Sequence, residues 1–266
     1  HSISGQLKAP APHEVIEIVE SHLKTIPKSD AFVEIGFFGG NFTGIPIQEQ
    51  QMYLQMATPY MAKGKIQAIR LSTRPDYIND EVLLMLKQHH VQTIELGAQS
   101  MDDEVLKASG RGHNSGQIVL AATKIKQYGF RLGLQMMIGL PFDSFEKSFS
   151  TAHKFVQLGA LDVRIYPTVV IKGTELETLY EKGIYSPLSL SEAVNWSKDI
   201  FILFEDHKIN IIRTGLHPSE ALVKGDAIVA GPFHPSFKEL VLTKIWNDIL
   251  NDAIDMKRGK RIRIYI

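Results

Sequence analysis

The sequence predicts an α/β fold of parallel βαβ units, and three observations predict it. Six apolar, β-branched runs recur at residues 32–38, 66–73, 91–98, 130–138, 161–168 and 209–214. Amphipathic stretches with helix-start and helix-stop residues lie between them. The links are short, and strands alternating with helices through short links form parallel sheets. The runs read as mostly continuous rather than alternating, the pattern of strands buried on both faces.

Each helix has its own signal. Val15, Ile16, Val19 and Leu23 make one apolar stripe. Asn79 is placed to cap a helix carrying Val82, Leu83 and Leu86, and Asn114 or Ser115 one carrying Ile118, Ala122 and Ile125, which Gly129 ends. Asp143 with Glu146 reads as a capping box before Phe149, Ala152 and Phe155, with Gly159 at the end. Ser189 with Glu192 repeats the device before Ala193, Trp196, Ile200 and Leu203. After residue 214 the texture changes. Residues 214–237 are rich in Gly, Pro and His and read as loop; a helix is expected over 237–250, then a basic tail alternating Arg and Ile like an edge strand.

The chain has 266 residues, enough for a sizeable core. Its 29 basic and 29 acidic residues balance, so no overall field draws it to nucleic acid or membrane. No apolar run reaches the ~18 residues of a membrane span, and the start carries no basic-then-apolar leader. A cytoplasmic location without membrane partners is the expectation. There is no cysteine, which excludes disulfides and cysteine-held metal sites within these residues.

In a parallel barrel the C-terminal strand ends line the active site. Gly39 and Gly40 come directly after the first run, where backbone can approach a ligand or simply turn. Ser72-Thr73-Arg74-Pro75-Asp76 ends the second, with Arg74 and Asp76 open to a loop ion pair. Glu95 and Gln99 are polar within or just after the third, so they meet a ligand or a core network. Arg111 stands just before a helix, where it can reach an anion. Gln135 lies inside the fourth run, before the Gly139-Leu140-Pro141 exit. Arg164 alternates with apolar neighbours in the fifth, and a buried Arg needs an anion or a carboxylate partner.

Taken in order, these strings resemble the radical S-adenosylmethionine superfamily. The nearest branch is similar to the one holding the Elongator catalytic subunit; oxygen-independent coproporphyrinogen oxidase is more distant. The strings are GGNFTGIP, STRPDYI, ELGAQS with GRGH after it, MMIGLP and RIYPTVVIKGTELETLYEKGIY, spanning about residues 32–192.

The resemblance implies a parallel (β/α)6-type partial TIM barrel over residues 1–214, with a short C-terminal extension over 215–266. It implies an enzyme that cleaves S-adenosylmethionine reductively at a 4Fe-4S cluster, generating a 5′-deoxyadenosyl radical that abstracts hydrogen from a substrate. Gly39 and Gly40 would hold the methionine amino group, with Asn41 where an acidic residue is usual. Ser72 occupies a ligand-contact position that is frequently Glu. Gln99 and Arg111 match residues that touch the ribose and the carboxylate, and Gln135 matches another ribose contact. Ile138 and Gly139 match the segment beside adenine. Arg164, Tyr166 and Lys172 would face the substrate. No catalytic side chain is assigned.

The family holds its cluster on a Cys-x3-Cys-x2-Cys loop after the first strand. Here the residues HSISGQ resemble the segment directly C-terminal to that loop, so the first strand and the cluster ligands are expected upstream of His1. The implied partners are a reductant such as flavodoxin or ferredoxin, and tRNA, held through Lys257, Arg258, Lys260, Arg261 and Arg263. Those residues otherwise form a solvated strand face. Two alternatives stand beside this: a barrel without a cluster acting as a binding protein, and a porphyrin-pathway relative, against which the Thr-Arg-Pro-Asp loop argues.

Overall fold

The computed structural model describes residues 10–27, 31–217, 222 and 227–255. Six parallel strands form one sheet: β1 (Glu34–Phe37), β2 (Ala68–Thr73), β3 (Val91–Gln99), β4 (Arg131–Ile138), β5 (Asp162–Pro167) and β7 (Asn210–Thr214), adjacent in that order. A two-stranded antiparallel ribbon joins β6 (Val170–Ile171) to β8 (Ile228–Ala230). The helices are α1 (Pro12–Thr25), α2 (Ile47–Ala62), α3 (Asp80–Gln88), α4 (Asp103–Ala108), α5 (Ser115–Gln127), α6 (Phe145–Gln157), α7 (Glu175–Glu181), α8 (Leu190–Asp206) and α9 (Phe237–Asp255). Among the described residues, no helix is long and apolar enough to cross a membrane.

The six strands and the helix starts match the sequence signals closely. Asn79 Oδ1 accepts the Val82 N–H at 2.8 Å. Asn114 and Gln117 cap each other's backbone reciprocally, and Ser189 and Glu192 do the same. One cap is corrected. Ser144, not Asp143, caps α6; Asp143 instead accepts the Gly139 N–H at 2.9 Å and the Ser148 hydroxyl at 2.7 Å. Its carboxylate therefore holds the loop after β4 to the start of α6. Helix α2 has no comparably plain start signal in the sequence, whereas α4 and α7 start on Asp102 and Thr174, caps that the sequence reading passed over. The Gln-rich stretch of α2 also holds Pro59, which obscures a helix. Strand β8 lies inside the stretch read as loop, and α9 runs five residues further than expected.

The expectation that both sheet faces are apolar is also corrected. Ile69, Leu71, Ile94, Leu96, Leu134, Met136, Ile138, Val163 and Ile165 form one face and join one hydrophobic cluster with α2, α3, α5, α6 and α8. The alternate positions are Glu34, Arg70, Ser72, Thr93, Glu95, Arg131, Gln135, Asp162 and Arg164, and they form a polar second face. The polar face is concave. Flat strands lie about 4.8 Å apart, so β2 and β5 would stand about 14 Å apart. Yet Arg70 Nη2 on β2 lies 3.6 Å from Asp162 Oδ2 on β5. The Arg164 guanidinium on β5 lies 4.7 Å from the ring centre of Phe38, just after β1. Only a curled sheet permits both contacts.

Glycines make room on this face. A Cβ at Gly133 would lie 2.6 Å from Glu95 Cγ, and one at Gly36 would lie 2.5 Å from the Phe38 ring. Each lets a longer neighbour fold across the strand. Gly133→Ala is expected to cost about 1–3 kcal/mol through overpacking, read as a lower urea midpoint with an unchanged slope.

Candidate cofactor site at the strand ends

A charge network floors the concave face. Glu95 is 1% exposed. It accepts from Arg70 Nη1 at 2.9 Å, from Arg164 Nε and Nη2 at 2.6 and 3.1 Å, and from Gln135 Nε2 at 2.8 Å. Arg70 Nε also donates to Glu34 at 3.0 Å. Below this layer, fully buried Asp162 accepts from Arg131 at 2.5 and 2.8 Å and from Asn210 at 2.7 Å. Burial works to raise the Asp162 carboxyl, but the bonds from Arg131 and Asn210 prevail and hold it below its ordinary range. Buried charges survive only when paired and hydrogen-bonded in this way.

Above the network lies the mouth. Gly39, at φ +104°, and Gly40 come after β1, and a Cβ on either would meet nothing within 4 Å. Asn41 Oδ1 accepts from the Thr73 hydroxyl at 2.6 Å and the Arg74 N–H at 3.2 Å, tying the first loop to the second. Thr73 also shares a hydrogen bond with the Thr43 hydroxyl. Ser72 Oγ accepts from Gln135 Nε2 at 3.1 Å. Gln99 ends β3 at φ +68°, a left-handed value uncommon outside glycine. Its side chain folds over Gly97, where a Cβ would lie 2.9 Å from its Nε2.

The cations of the mouth differ in how they are satisfied. Arg74 makes a two-pronged pair with Asp76 at 2.9 and 2.8 Å and lies over Tyr77. Arg164 has Glu95. Arg111 has no carboxylate partner among the described residues. Its Nη2 reaches only the Met137 sulfur at 3.1 Å, and its Nε is sealed from solvent without a partner. Burial, then the nearby Arg74 charge, pulls its guanidinium below the ordinary value. Next to it, buried His113 uses Nε2 on the Ala98 carbonyl at 3.2 Å, and its Nδ1 is unpartnered. Burial is the main cause that lowers this imidazole.

The structure thus gathers Gly39, Gly40, Asn41, Ser72, Gln99, Arg111 and Gln135 at neighbouring ends of β1 to β4. Ile138 and Gly139 end β4, but their backbone is largely engaged. The Ile138 carbonyl accepts the Thr168 N–H at 3.0 Å. The Gly139 N–H goes to Asp143 and its carbonyl accepts the Tyr185 hydroxyl at 2.6 Å. Arg164 and Tyr166 line the β5 end of the face. Lys172 comes just after β6, exposed and outside the network. Sequence reasoning passed over Arg70, Glu34, Asp162, Arg131 and Phe38. Their signal was available as polar or bulky residues two apart within the strand runs. The five basic tail residues, Lys257 to Arg263, lie outside the described residues.

Residues 6–152 match the family model of the Radical SAM superfamily, and residues 162–247 match that of the Radical_SAM C-terminal domain. The chain belongs to the radical SAM superfamily, a superfamily of enzymes. Among its relatives is a tRNA uridine(34) acetyltransferase of Methanocaldococcus infernus, 28% identical over 182 residues, covering 61% of this chain and 34% of the relative. Human Elongator complex protein 3 is 24% identical over 243 residues, covering 84% of this chain and 43% of that protein. The solved structure of Methanocaldococcus infernus Elp3 lacking residues 1–46 superposes with a TM-score of 0.77 at 23% identity, over 90% of this chain and 59% of that one. That likeness shows the fold, a partial TIM barrel of radical SAM type. The chain spans less than half the length of these two sequence relatives.

The network makes one prediction directly. Glu95→Gln keeps the shape but leaves Arg70 and Arg164 without their shared carboxylate. A loss of about 3–5 kcal/mol in urea unfolding is expected, against less than about 1.5 kcal/mol for Ser72→Ala.

Proposed function

We propose that the mouth binds S-adenosylmethionine, that the chain is the cofactor-binding barrel of a radical SAM enzyme, and that the substrate is a tRNA. Arg111 is the observation that carries the cofactor reading. A desolvated guanidinium with no carboxylate partner among the described residues is a costly arrangement, and a carboxylate bound beside it would offset the cost with charge-assisted bonds. The open backbone at Gly39 and Gly40 and the free Gln99 amide fit the rest of such a ligand.

When bound beside a reduced 4Fe-4S cluster, S-adenosylmethionine supplies the chemistry of hydrogen abstraction. The chain's own residues bind and orient. In this reading Gly39 and Gly40 offer backbone to the methionine amino group, Arg111 holds the carboxylate, and Gln99 and Gln135 meet the ribose. The backbone of Ile138 and Gly139 lies beside the adenine in this reading, with the Ile138 side chain in the apolar cluster on the other face. Glu95 holds Gln135 and Arg164 in place from below, and Tyr166 faces the substrate with them. We read residues 1–214 as this barrel and 215–266 as a short C-terminal extension.

The residues present do not fit the cluster itself. The chain has no cysteine, and among the described residues no group of three or more His, Asp or Glu is placed to hold a metal ion. We assign its ligands to residues outside these 266 and its electrons to a reductant such as flavodoxin or ferredoxin. The missing cysteines are also what favours the second reading, a barrel that binds S-adenosylmethionine without cleaving it. The tRNA reading is supported by the names of the relatives, tRNA uridine(34) acetyltransferase among them. Acetyl transfer is not carried over, because the match covers only 34% of that relative.

Two measurements test this. Arg111→Ala should weaken S-adenosylmethionine binding by calorimetry by roughly 1.5–3 kcal/mol while leaving the ligand-free protein as stable as the parent, or more so. Equal affinity in both proteins removes the cofactor assignment. A form of the protein extended upstream and prepared anaerobically should be brown and carry one 4Fe-4S cluster. A colourless, iron-free product after reconstitution favours the binding reading.

A further inference from the structure

Phe37 and Phe38, at the end of the first run, go to opposite faces of the sheet. Phe37 joins the convex apolar cluster, where it meets Phe42 and Tyr53 at ring-centre distances of 5.2 and 6.4 Å. Phe38 turns the other way. Its ring folds back over Gly36, where a Cβ would lie 2.5 Å from it, and so it lies on the concave face. There the Arg164 guanidinium covers it, 4.7 Å from the ring centre.

Phe38 is nevertheless 47% exposed. A lone exposed aromatic on an outer surface needs no account, but this one stands inside the mouth, directly before the Gly39-Gly40 turn. Arg164 takes one face of the ring, so the exposed area belongs to the other face and the edge. The support behind the ring is fixed. Glu95 holds Arg164 through hydrogen bonds of 2.6 and 3.1 Å, and the Arg164 side chain is only 12% exposed. Little ordering is left for a ligand to impose.

The free face sets the chemistry of what it can take. It offers no hydrogen bond, so it suits a flat, uncharged face rather than an ion. A nucleobase has such a face, and unpaired RNA is held by stacking its bases on aromatic side chains and guanidinium planes. The polar edge of a base then needs partners, and Tyr166 supplies a hydroxyl close to Arg164 on the same concave face. We propose that Phe38, backed by Arg164, is the stacking platform for one unpaired base of the RNA substrate. A base inside a duplex has both faces covered by its neighbours. The nucleotide must therefore leave its stack to reach the platform, and the substrate is recognised at a single-stranded loop rather than along a helix. The tRNA as source of the base rests on the reading above; the platform rests on the geometry of Phe38 and Arg164.

The test uses the whole chain with three labelled probes: tRNA, an unstructured oligouridylate, and an abasic ribose-phosphate strand of the same length. Phe38→Leu should bind tRNA and oligouridylate about tenfold more weakly than the parent. The salt slope should not change, because no charge is removed. The abasic strand should bind Phe38→Leu and the parent equally, and Phe38→Tyr should match the parent on every probe. S-adenosylmethionine titrations should coincide for all three proteins, which shows that the fold is intact. If Phe38→Leu binds tRNA and oligouridylate as tightly as the parent, or loses the abasic strand by the same factor as oligouridylate, no base stacks on Phe38, although the tRNA reading stands. If Phe38→Leu instead loses S-adenosylmethionine while RNA binding is unchanged, the ring stacks on the adenine of the cofactor and the proposal is overturned. A parent that binds no tRNA sinks the tRNA reading, and the oligouridylate and abasic strands then decide the platform by the same criterion.

Discussion

The buried carboxylate of Glu95 is the constraint around which the rest is arranged. A charge taken almost wholly out of water must be paired on nearly every lone pair, and Glu95 is met by Arg70, Arg164 and Gln135. Those partners come from β2, β5 and β4. The network therefore joins four strands from inside, and Arg70 extends it to Glu34 on β1. A flat sheet cannot bring these groups together, so the pairing and the curl of the sheet require one another.

This arrangement divides the work between the two faces. The convex face holds the apolar cluster that stabilises the fold, and each fully buried Leu or Ile there contributes about 1.5–3 kcal/mol. The concave face contributes little net stability, because desolvation offsets most of the attraction between buried ions. What it provides is position. Gly133 and Gly36 omit side chains where Glu95 and Phe38 fold across, and Asn41 and Asp143 each tie a loop to its neighbour. The strand ends are consequently held by hydrogen bonds on both sides of the mouth.

The cations of the mouth show the difference between structure and binding. Arg74 and Arg164 are matched by Asp76 and Glu95 and serve the framework. Arg111 and Arg213 have no such partners among the described residues. One stands by the loops after β3, the other at the far edge on β7.

Much of the fold was legible in the sequence. The six strand runs, the Asn79, Asn114 and Ser189 caps and the order of the strand-end motifs are local signals, set by propensity and by residues three or four apart. The strand-end set of Gly39, Gly40, Ser72, Gln99, Arg111 and Gln135 was legible for the same reason, since parallel βαβ topology puts every strand's C-terminal end on one side. What lay beyond reach was which charges meet. Arg164 could as well have faced an anion as a carboxylate, and only the curl of the sheet decided for Glu95. Arg70 and Asp162 stand 92 positions apart in the chain and three strands apart in the sheet, and no local pattern announces their contact. Propensity and periodicity act over a few residues, whereas pairing of buried charge is decided by the space that the whole sheet encloses.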